Sequence, residues 1–428
     1  MQEEKQPFDA GYRQGEGKAR EERREFLLNF SMGVVSLLEL ESLCELGLFE
    51  FNIVEANEKG AVIECTRSSA VRLILRLGGC FKIAEVVGRE LSAALEALTL
   101  PFEDKFNWTV SAYGTQEELF LRARQELHDL LKQKRLGRSK FLTPEEARLG
   151  GPRSFAYSEL KASEVQSRIL FPENGIEGID FVVHSGLKGN APIFAQTIAT
   201  SDLEGYEKRD FKRPFQDPTL TLSPRMARVL VNLVSRSRRF TILDPFCGLG
   251  TILQEGLICG QSVIGVDRVS GIVSKAKENL AWVKQEYRIG REQRATIFAY
   301  DARRISRARM PAIDAVATEP ILIPVFKNNP SASLARSTLE KAKETYERCI
   351  TEFAEVLHGS GSRMALTTPV LFDSSGRSMS LSLDESAARA GLRPYRGRFA
   401  GRMAEYPLRI DSSKKRIVQR AVNVFCLP

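Results

Sequence analysis

The 428-residue chain contains only three histidines, His128, His184 and His358, far apart in sequence. That leaves catalysis by a histidine general base or a histidine-held metal with little support. Its seven cysteines are scattered and form no C-x-x-C pair. Neither a disulfide framework nor a zinc cluster is indicated, so a reduced, cytoplasmic setting and no metal are the expectation. Long apolar runs are missing too: Arg72 and Arg76 interrupt the best candidate, Ala70 to Leu77, so no membrane span is expected. The first 25 residues are strongly charged and lack an apolar core, which argues against a secretion signal.

What remains is an ordinary globular composition, 43% hydrophobic and 27% charged, in a chain long enough for two or three domains. The charge is uneven. Residues 207–428 carry 37 Lys+Arg against 22 Asp+Glu, a surplus of +15, whereas residues 1–206 carry 25 against 32. A basic carboxyl half suits a polyanionic partner, because phosphate contacts supply most non-specific affinity. Solvated helix faces are the plainer explanation of the same arginines. A second basic run, Lys132, Lys134, Arg135, Arg138 and Lys140, is poor in aromatics. Its chemistry suits RNA phosphates rather than stacked bases.

One stretch carries more chemistry than the rest, Thr241 to Gly256, TILDPFCGLGTILQEG. A short apolar run ends in Asp244, a glycine-containing turn follows, and a helical segment begins. Gly248 and Gly250 allow backbone amides close to a ligand, and a helix N-terminus favours an anion. A dinucleotide fingerprint fails because residue 253 is Leu, and a Walker A loop fails because no Lys follows the glycines. Further acids close further predicted strands: Asp267 after Ser262–Val266, Asp301 after Ala295–Tyr300, and Glu319 beyond Ile313–Ala317 and Thr318. Any one of these is an ordinary turn or cap residue; four at successive strand ends mark a site.

The loop Asp244-Pro-Phe-Cys-Gly-Leu-Gly-Thr251 resembles motif I of the S-adenosylmethionine-dependent methyltransferases. It is nearest to the DPFCGTGT of RNA methylases, with Leu249 for the usual Thr. The preceding segment Arg209 to Leu233, RDFKRPFQDPTLTLSPRMARVLVNL, resembles the linker and entry helix of the THUMP-domain tRNA guanosine N2-methyltransferases, which act at tRNA position ten. Asn279-Leu280-Ala281-Trp282 matches a further motif of that family. The resemblance is strong from Arg209 to Asp301 and diffuse before it. It implies an S-adenosylmethionine cofactor held by Ser223, Asp244, Phe246, Cys247, Gly248, Gly250, Asp267, Arg268, Asp301 and Ala302, with Asp267 on the ribose hydroxyls and Asp301 on the adenine amine. It implies tRNA as partner, and a small activating protein of the kind some relatives recruit.

Motif IV departs from the family. Where T-D-P-P-Y is usual, Thr318-Glu319-Pro320-Ile321-Leu322 keeps the Thr, a carboxylate and one Pro and lacks the second Pro and the aromatic. Glu319 and the Pro320 carbonyl remain the candidate catalytic acceptors for the hydrogens of a guanine amine, and Phe326 is the ring the next loop offers. A methyltransferase fold serving as an RNA-binding or scaffolding subunit is the alternative, favoured by Leu249, Ile321, Leu322 and Ile323. DNA adenine methylation shares the motif IV logic but not the front half.

The expected architecture is α/β: a class I methyltransferase doubly wound sheet at the C-terminus, preceded by α+β ferredoxin-like and THUMP-like domains. The expected boundaries are a charged tail (1–25), a ferredoxin-like domain (26–100), a THUMP-like RNA-binding domain (101–200), a linker (201–222) and the methyltransferase domain (223–428). In the front half, Val34 to Leu46 reads as a helix between strands in a β-α-β-β-α-β order. Thr115 and Glu118 read as a capping box for a helix reaching Lys134.

Overall fold

The computed structural model describes residues 21–101, 105–115, 117–134, 136, 138–142, 170, 178–189, 191–217, 222–236, 240–320, 323–324, 326–410 and 418–428. Most of the expected N-terminal tail, with Arg135, Ile321 and Leu322, lies outside them. The chain divides into two units, one of Glu21–Ser31 with Phe49–Gly205, the other including Met32–Leu48 and Tyr206–Pro428.

In the first unit the apolar run Phe26-Leu27-Leu28 has no polar face to turn to water. All three are fully buried in β1 (Arg23–Phe30), which sits inside a sheet rather than at its edge. β2 (Asn52–Ala56), β3 (Gly60–Thr66), β4 (Cys80–Gly88), β5 (Asn107–Tyr113), β6 (Lys140–Phe141), β7 (Ile179–His184) and β8 (Ile193–Thr200) complete it. Their spatial order is β2-β3-β1-β4-β8-β7-β5-β6. The expected boundary at residue 100 therefore falls within one continuous sheet, because β8 pairs antiparallel with β4 and closes the edge that β4 would otherwise leave open. The helix Glu117–Gln133 packs through Phe120, Ala123, Leu127 and Leu131, a stripe at helical spacing. The capping box is not formed: the helix starts at Glu117, and the Thr115 hydroxyl donates to the Tyr113 and Val183 carbonyls at 3.2 and 3.1 Å.

At the centre of this sheet Lys82 and Asp180, from β4 and β7, form a buried ion pair at 2.7 Å. Ser111 and Thr197, on β5 and β8, donate to the same carboxylate at 2.6 and 2.5 Å. Four strands are thereby pinned in register, since a one-residue slip would leave both charges buried without partners.

The second unit holds the alternating half of the chain. β9 (Thr241–Asp244), β10 (Ser262–Asp267), β11 (Ala295–Ala299), β12 (Ala315–Thr318), β13 (Arg363–Phe372), β14 (Ser378–Ser380), β15 (Arg393–Pro394), β16 (Leu408–Arg409) and β17 (Val418–Cys426) form one sheet. Its path is β11-β10-β9-β12-β13-β17-β15, with β14 on β13 and β16 on β17. The first five strands are parallel and β17 runs antiparallel to β13. Alternate residues feed two cores: Val263 joins Leu253, Leu257 and Ala276, while Ile264 and Val266 join Phe353 and Ile350 of the long helix Ala332–Val356. After β9 the chain winds outward to β11, then returns to the other side of β9 as β12. That reversal is a topological switch point, the usual place for a ligand in a doubly wound sheet.

The helix read at Val34 to Leu46 exists as Val34–Glu45, but it clusters with this second unit and not with the strands on either side of it in sequence. Every residue from Val35 to Leu43 is buried, so the helix has no solvated face over that span. Its acids find partners here. Glu39 accepts from Asn232 at 2.7 Å, Glu41 accepts the Phe399 and Ala400 amides at 2.6 and 3.0 Å, and Glu45 takes Tyr395 and Arg363 at 2.6 and 3.2 Å. Burial pushes the Glu41 carboxyl above its ordinary range, against the pull of those two amides.

Candidate functional site

β9 ends at Asp244, 1% exposed, and the following loop turns tightly, with the Gly250 amide donating to the Cys247 carbonyl at 2.7 Å. Gly250 has φ +88° and is the N-cap of the helix Thr251–Ile258; a Cβ there would lie 2.8 Å from the Leu280 side chain. Gly248 also has positive φ, +48°, yet a Cβ there would meet nothing within 4 Å. The left-handed backbone, with the Leu280 methyl close by, favours glycine at 250, whereas Gly248 opens onto free space where a ligand can approach backbone.

Asp267, the last residue of β10, accepts the Gly248 amide on Oδ2 at 3.2 Å and the Val269 amide on Oδ1 at 2.9 Å. Each oxygen keeps a further lone pair for a ligand hydroxyl. The Asp244 carboxylate accepts from the Thr318 hydroxyl at 2.7 Å and the Phe246 amide at 3.2 Å. Burial pushes its carboxyl up to about 7, and the charges of Asp267 and Glu319 push the same way against those two hydrogen bonds. Cys247 is buried and its thiol is pushed well up by desolvation, so it packs rather than reacts.

Other expected contacts are already engaged. Ser223 caps the helix Pro224–Val234, its hydroxyl accepting the Met226 amide at 3.3 Å. Asp301 begins the short 3-10 segment Ala302–Arg307 and holds Arg303 through Nη2 at 2.6 Å, which draws its carboxyl down to about 2. Any second donor to Asp301 shares it with that guanidinium. Arg268 is exposed and Ala302 buried. Phe246 sets its ring edge-on to Phe353, centroids 6.3 Å apart.

Motif IV follows β12. Thr318 is fully buried and tied to Asp244, so the backbone leading to Glu319 is anchored at the base of the loop. Glu319 itself faces Arg420 of β17, which donates Nε to both carboxylate oxygens at 3.1 and 3.0 Å and Nη2 to Oε1 at 2.8 Å. Pro320 is buried, and Ile323 and Phe326 pack partly buried against the core around Phe353. Phe326 is thus a packing residue here rather than a free ring.

Several residues that hold this site carried no assigned role in the sequence reading. The buried Glu255 carboxylate takes Arg209 at 2.6 Å and Arg228 at 2.6 Å, with the Tyr206 ring 4.6 Å from the first guanidinium. Arg213 donates to the Thr251 hydroxyl at 2.9 Å. Asn279 accepts the Phe215 amide at 2.9 Å and donates to the Phe215 and Leu249 carbonyls at 3.1 and 3.0 Å. The segment Arg209-Asp-Phe-Lys-Arg-Pro214 is therefore bolted to the first turns of the helix behind the glycine loop, and Asn279 holds both together. The recurrence of Arg209, Arg213 and Asn279 within recognisable motifs was the only signal in sequence.

In the first unit Lys132, Lys134, Arg138 and Lys140 are exposed, so the basic run presents charge to solvent over the described residues. Among the described residues no group of three His, Cys, Asp or Glu is placed to hold a metal ion, and no helix is long and apolar enough to cross a membrane.

Residues 211–374 match the RMKL-like methyltransferase domain family. A tRNA (guanine(10)-N2)-dimethyltransferase of Pyrococcus abyssi is 32% identical over 170 residues, 39% of this chain and 44% of that protein. One of the same description from Methanothermobacter thermautotrophicus is 30% identical over 185 residues, 42% and 48% of the two chains. The chain thus spans less than half the length of the curated relatives it matches. Among solved structures, TrmN from Thermus thermophilus aligns with a TM-score of 0.51 at 16% identity, covering 94% of this chain and all of the other. At that identity the likeness speaks for the fold alone. With the strand order above, it makes the second unit a class I methyltransferase sheet.

Proposed function

We propose, from a chain that carries an RMKL-like methyltransferase domain over residues 211–374, an S-adenosylmethionine-dependent tRNA methyltransferase acting on the exocyclic N2 amine of a guanosine of the position-ten type. The observation that carries it is the set of acids closing β9, β10 and β12 around the switch point, joined through the Thr318–Asp244 hydrogen bond of 2.7 Å. The names of the two archaeal relatives support the substrate.

The residues present fit the cofactor. Gly248 is open on its Cβ side, Asp267 keeps acceptor capacity on both oxygens, and Asp244 offers a buried carboxyl at the root of the loop. The loop Phe246–Gly250 would hold the methionine end, Asp267 the ribose and Asp301 the adenine side. When bound, S-adenosylmethionine supplies an electrophilic methyl group on a sulfonium. Glu319 and the Pro320 carbonyl then accept hydrogens of the target amine, localising a lone pair otherwise spread into the ring, and orient it for direct displacement. A base reaches such a site by leaving its stack. The THUMP-like role of the first unit, its basic run and a small activating protein belong to the same reading: the front unit grips tRNA while the second performs the transfer.

Labelled methyl transfer to tRNA, with mass spectrometry of the digested nucleosides, tests it directly. N2-methylated guanosine is the expected product. In the series parent, Glu319→Gln, Glu319→Ala the rate should fall stepwise with cofactor affinity unchanged, because the interaction acts on the transition state. Equal rates in the parent and Glu319→Ala would remove Glu319 from catalysis. A parent inactive on every tRNA, with candidate partner proteins added, would favour the scaffolding subunit instead.

A further inference from the structure

We infer, with the methyl-transfer reading above as premise, that Arg420 is a positioning residue that fixes Glu319 and leaves its Oε2 to accept the target amine. Glu319 is one methylene longer than aspartate, and each added torsion spreads the carboxylate over more positions. Its backbone is secured on one side by the Thr318–Asp244 hydrogen bond. Among the described residues the side chain itself is secured only by Arg420, on β17 opposite Pro369 of β13.

A guanidinium is a rigid planar fork, and a two-point hold on a carboxylate sets both its position and its plane. Here Nε and Nη2 both reach Oε1, at 3.1 and 2.8 Å, whereas Oε2 receives Nε alone at 3.0 Å. A carboxylate oxygen has two lone pairs, so Oε2 retains one for a substrate N–H. Both partners are only partly exposed, Arg420 at 25% and Glu319 at 15%, so water competes weakly for the pair while a ligand can still reach it. The longer acid and the arginine thus work as one unit: the fork supplies the fixed geometry that a shorter aspartate has by itself.

The test uses the full-length protein with tRNA and S-adenosylmethionine, measuring kcat, KM for tRNA, cofactor affinity by calorimetry and melting temperature. Arg420→Gln should lower kcat by roughly ten- to a hundredfold, the effect of a misplaced catalytic group, with KM and cofactor affinity held. Arg420→Lys, which keeps charge without the fork, should recover part of the rate. The pair Arg420→Gln/Glu319→Gln should be no slower than Glu319→Gln alone, since residues acting as a unit are not additive. A raised KM and flatter salt dependence at parental kcat would overturn the inference, because Arg420 would then be gripping phosphate. Multiplicative losses in the double variant would also overturn it. Should Arg420→Gln unfold, Arg420→Lys decides: parental kcat in it sinks the role of the fork. A parent active on tRNA with variants at the parental rate sinks this inference alone; a parent without methyl transfer sinks it together with its premise.

Discussion

Asp244 and Asp267 end adjacent parallel strands, yet Asp244 is buried and Asp267 only half-buried. Burial pushes the Asp244 carboxyl up to about 7, from an ordinary 3.8. Its contribution to folding is therefore complete below the ordinary value and is lost as pH rises through about 7, where the buried group must ionise. A cofactor ammonium beside it would favour the charged form, so cofactor affinity should rise as pH passes upward through about 7. Asp244→Asn, which keeps an acceptor for Thr318 and Phe246, should flatten that rise and stabilise the ligand-free protein at pH 8. Calorimetry against pH and thermal melts measure the two effects, and an unchanged pH profile in Asp244→Asn would rule out the assignment. Asp267 is the simpler case. Asp267→Ala should weaken S-adenosylmethionine binding by about 1.5–3 kcal/mol for each charge-assisted hydrogen bond lost, and undiminished affinity would take Asp267 out of the site.

Among elements, the glycine loop is tied to the helix and the linker packed behind it. Asn279, on the helix Ser270–Glu286, meets three backbone groups of Phe215 and Leu249, all at 3.1 Å or less. Asn279→Ala should cost about 1–3 kcal/mol for each group left unsatisfied and loosen cofactor binding with it, read by denaturant unfolding and calorimetry. Glu255 lies in the helix Thr251–Ile258 and neutralises two buried arginines. Glu255→Ala removes the carboxylate that both arginines share, and breaking a buried pair from one side costs about 3–5 kcal/mol. Unfolding in urea at parental denaturant concentration would show that water reaches Arg209 and Arg228 after all. The strands and helices of this half were legible in sequence because apolar runs and helical spacing alternate with acids and glycines. The partnership of the helix Val34–Glu45 was not. Its leucines predict a helix, and only the Glu39, Glu41 and Glu45 contacts assign it to the carboxyl-terminal unit.

For the whole molecule, on the proposed reading, the +15 balance of residues 207–428 and the exposed Lys132, Lys134, Arg138 and Lys140 predict tRNA binding that weakens steeply with salt. Replacing Lys132, Lys134 and Arg135 together with glutamine should reduce the slope of log affinity against log salt by roughly the number of phosphate contacts removed. Filter binding or fluorescence anisotropy across a salt series reads this. A slope near zero in the parent would mean that these cations serve solubility and not RNA.

The amino-acid order alone determined the doubly wound class, the glycine loop after Asp244 and the acids at successive strand ends, because these depend on short-range periodicity and on turns whose geometry only certain residues adopt. The family resemblance names Ser223 and Asp301 as cofactor contacts, and the fold adds that the first caps a helix and the second holds an arginine. Spacing along the chain does not say which partner reaches a polar group first. Arg420 lies 101 residues from Glu319 and meets it because β17 returns antiparallel beside β13. Long-range charge pairing of that kind is a property of the sheet order. Only the tertiary structure decided how the carboxylate at the end of β12 is held.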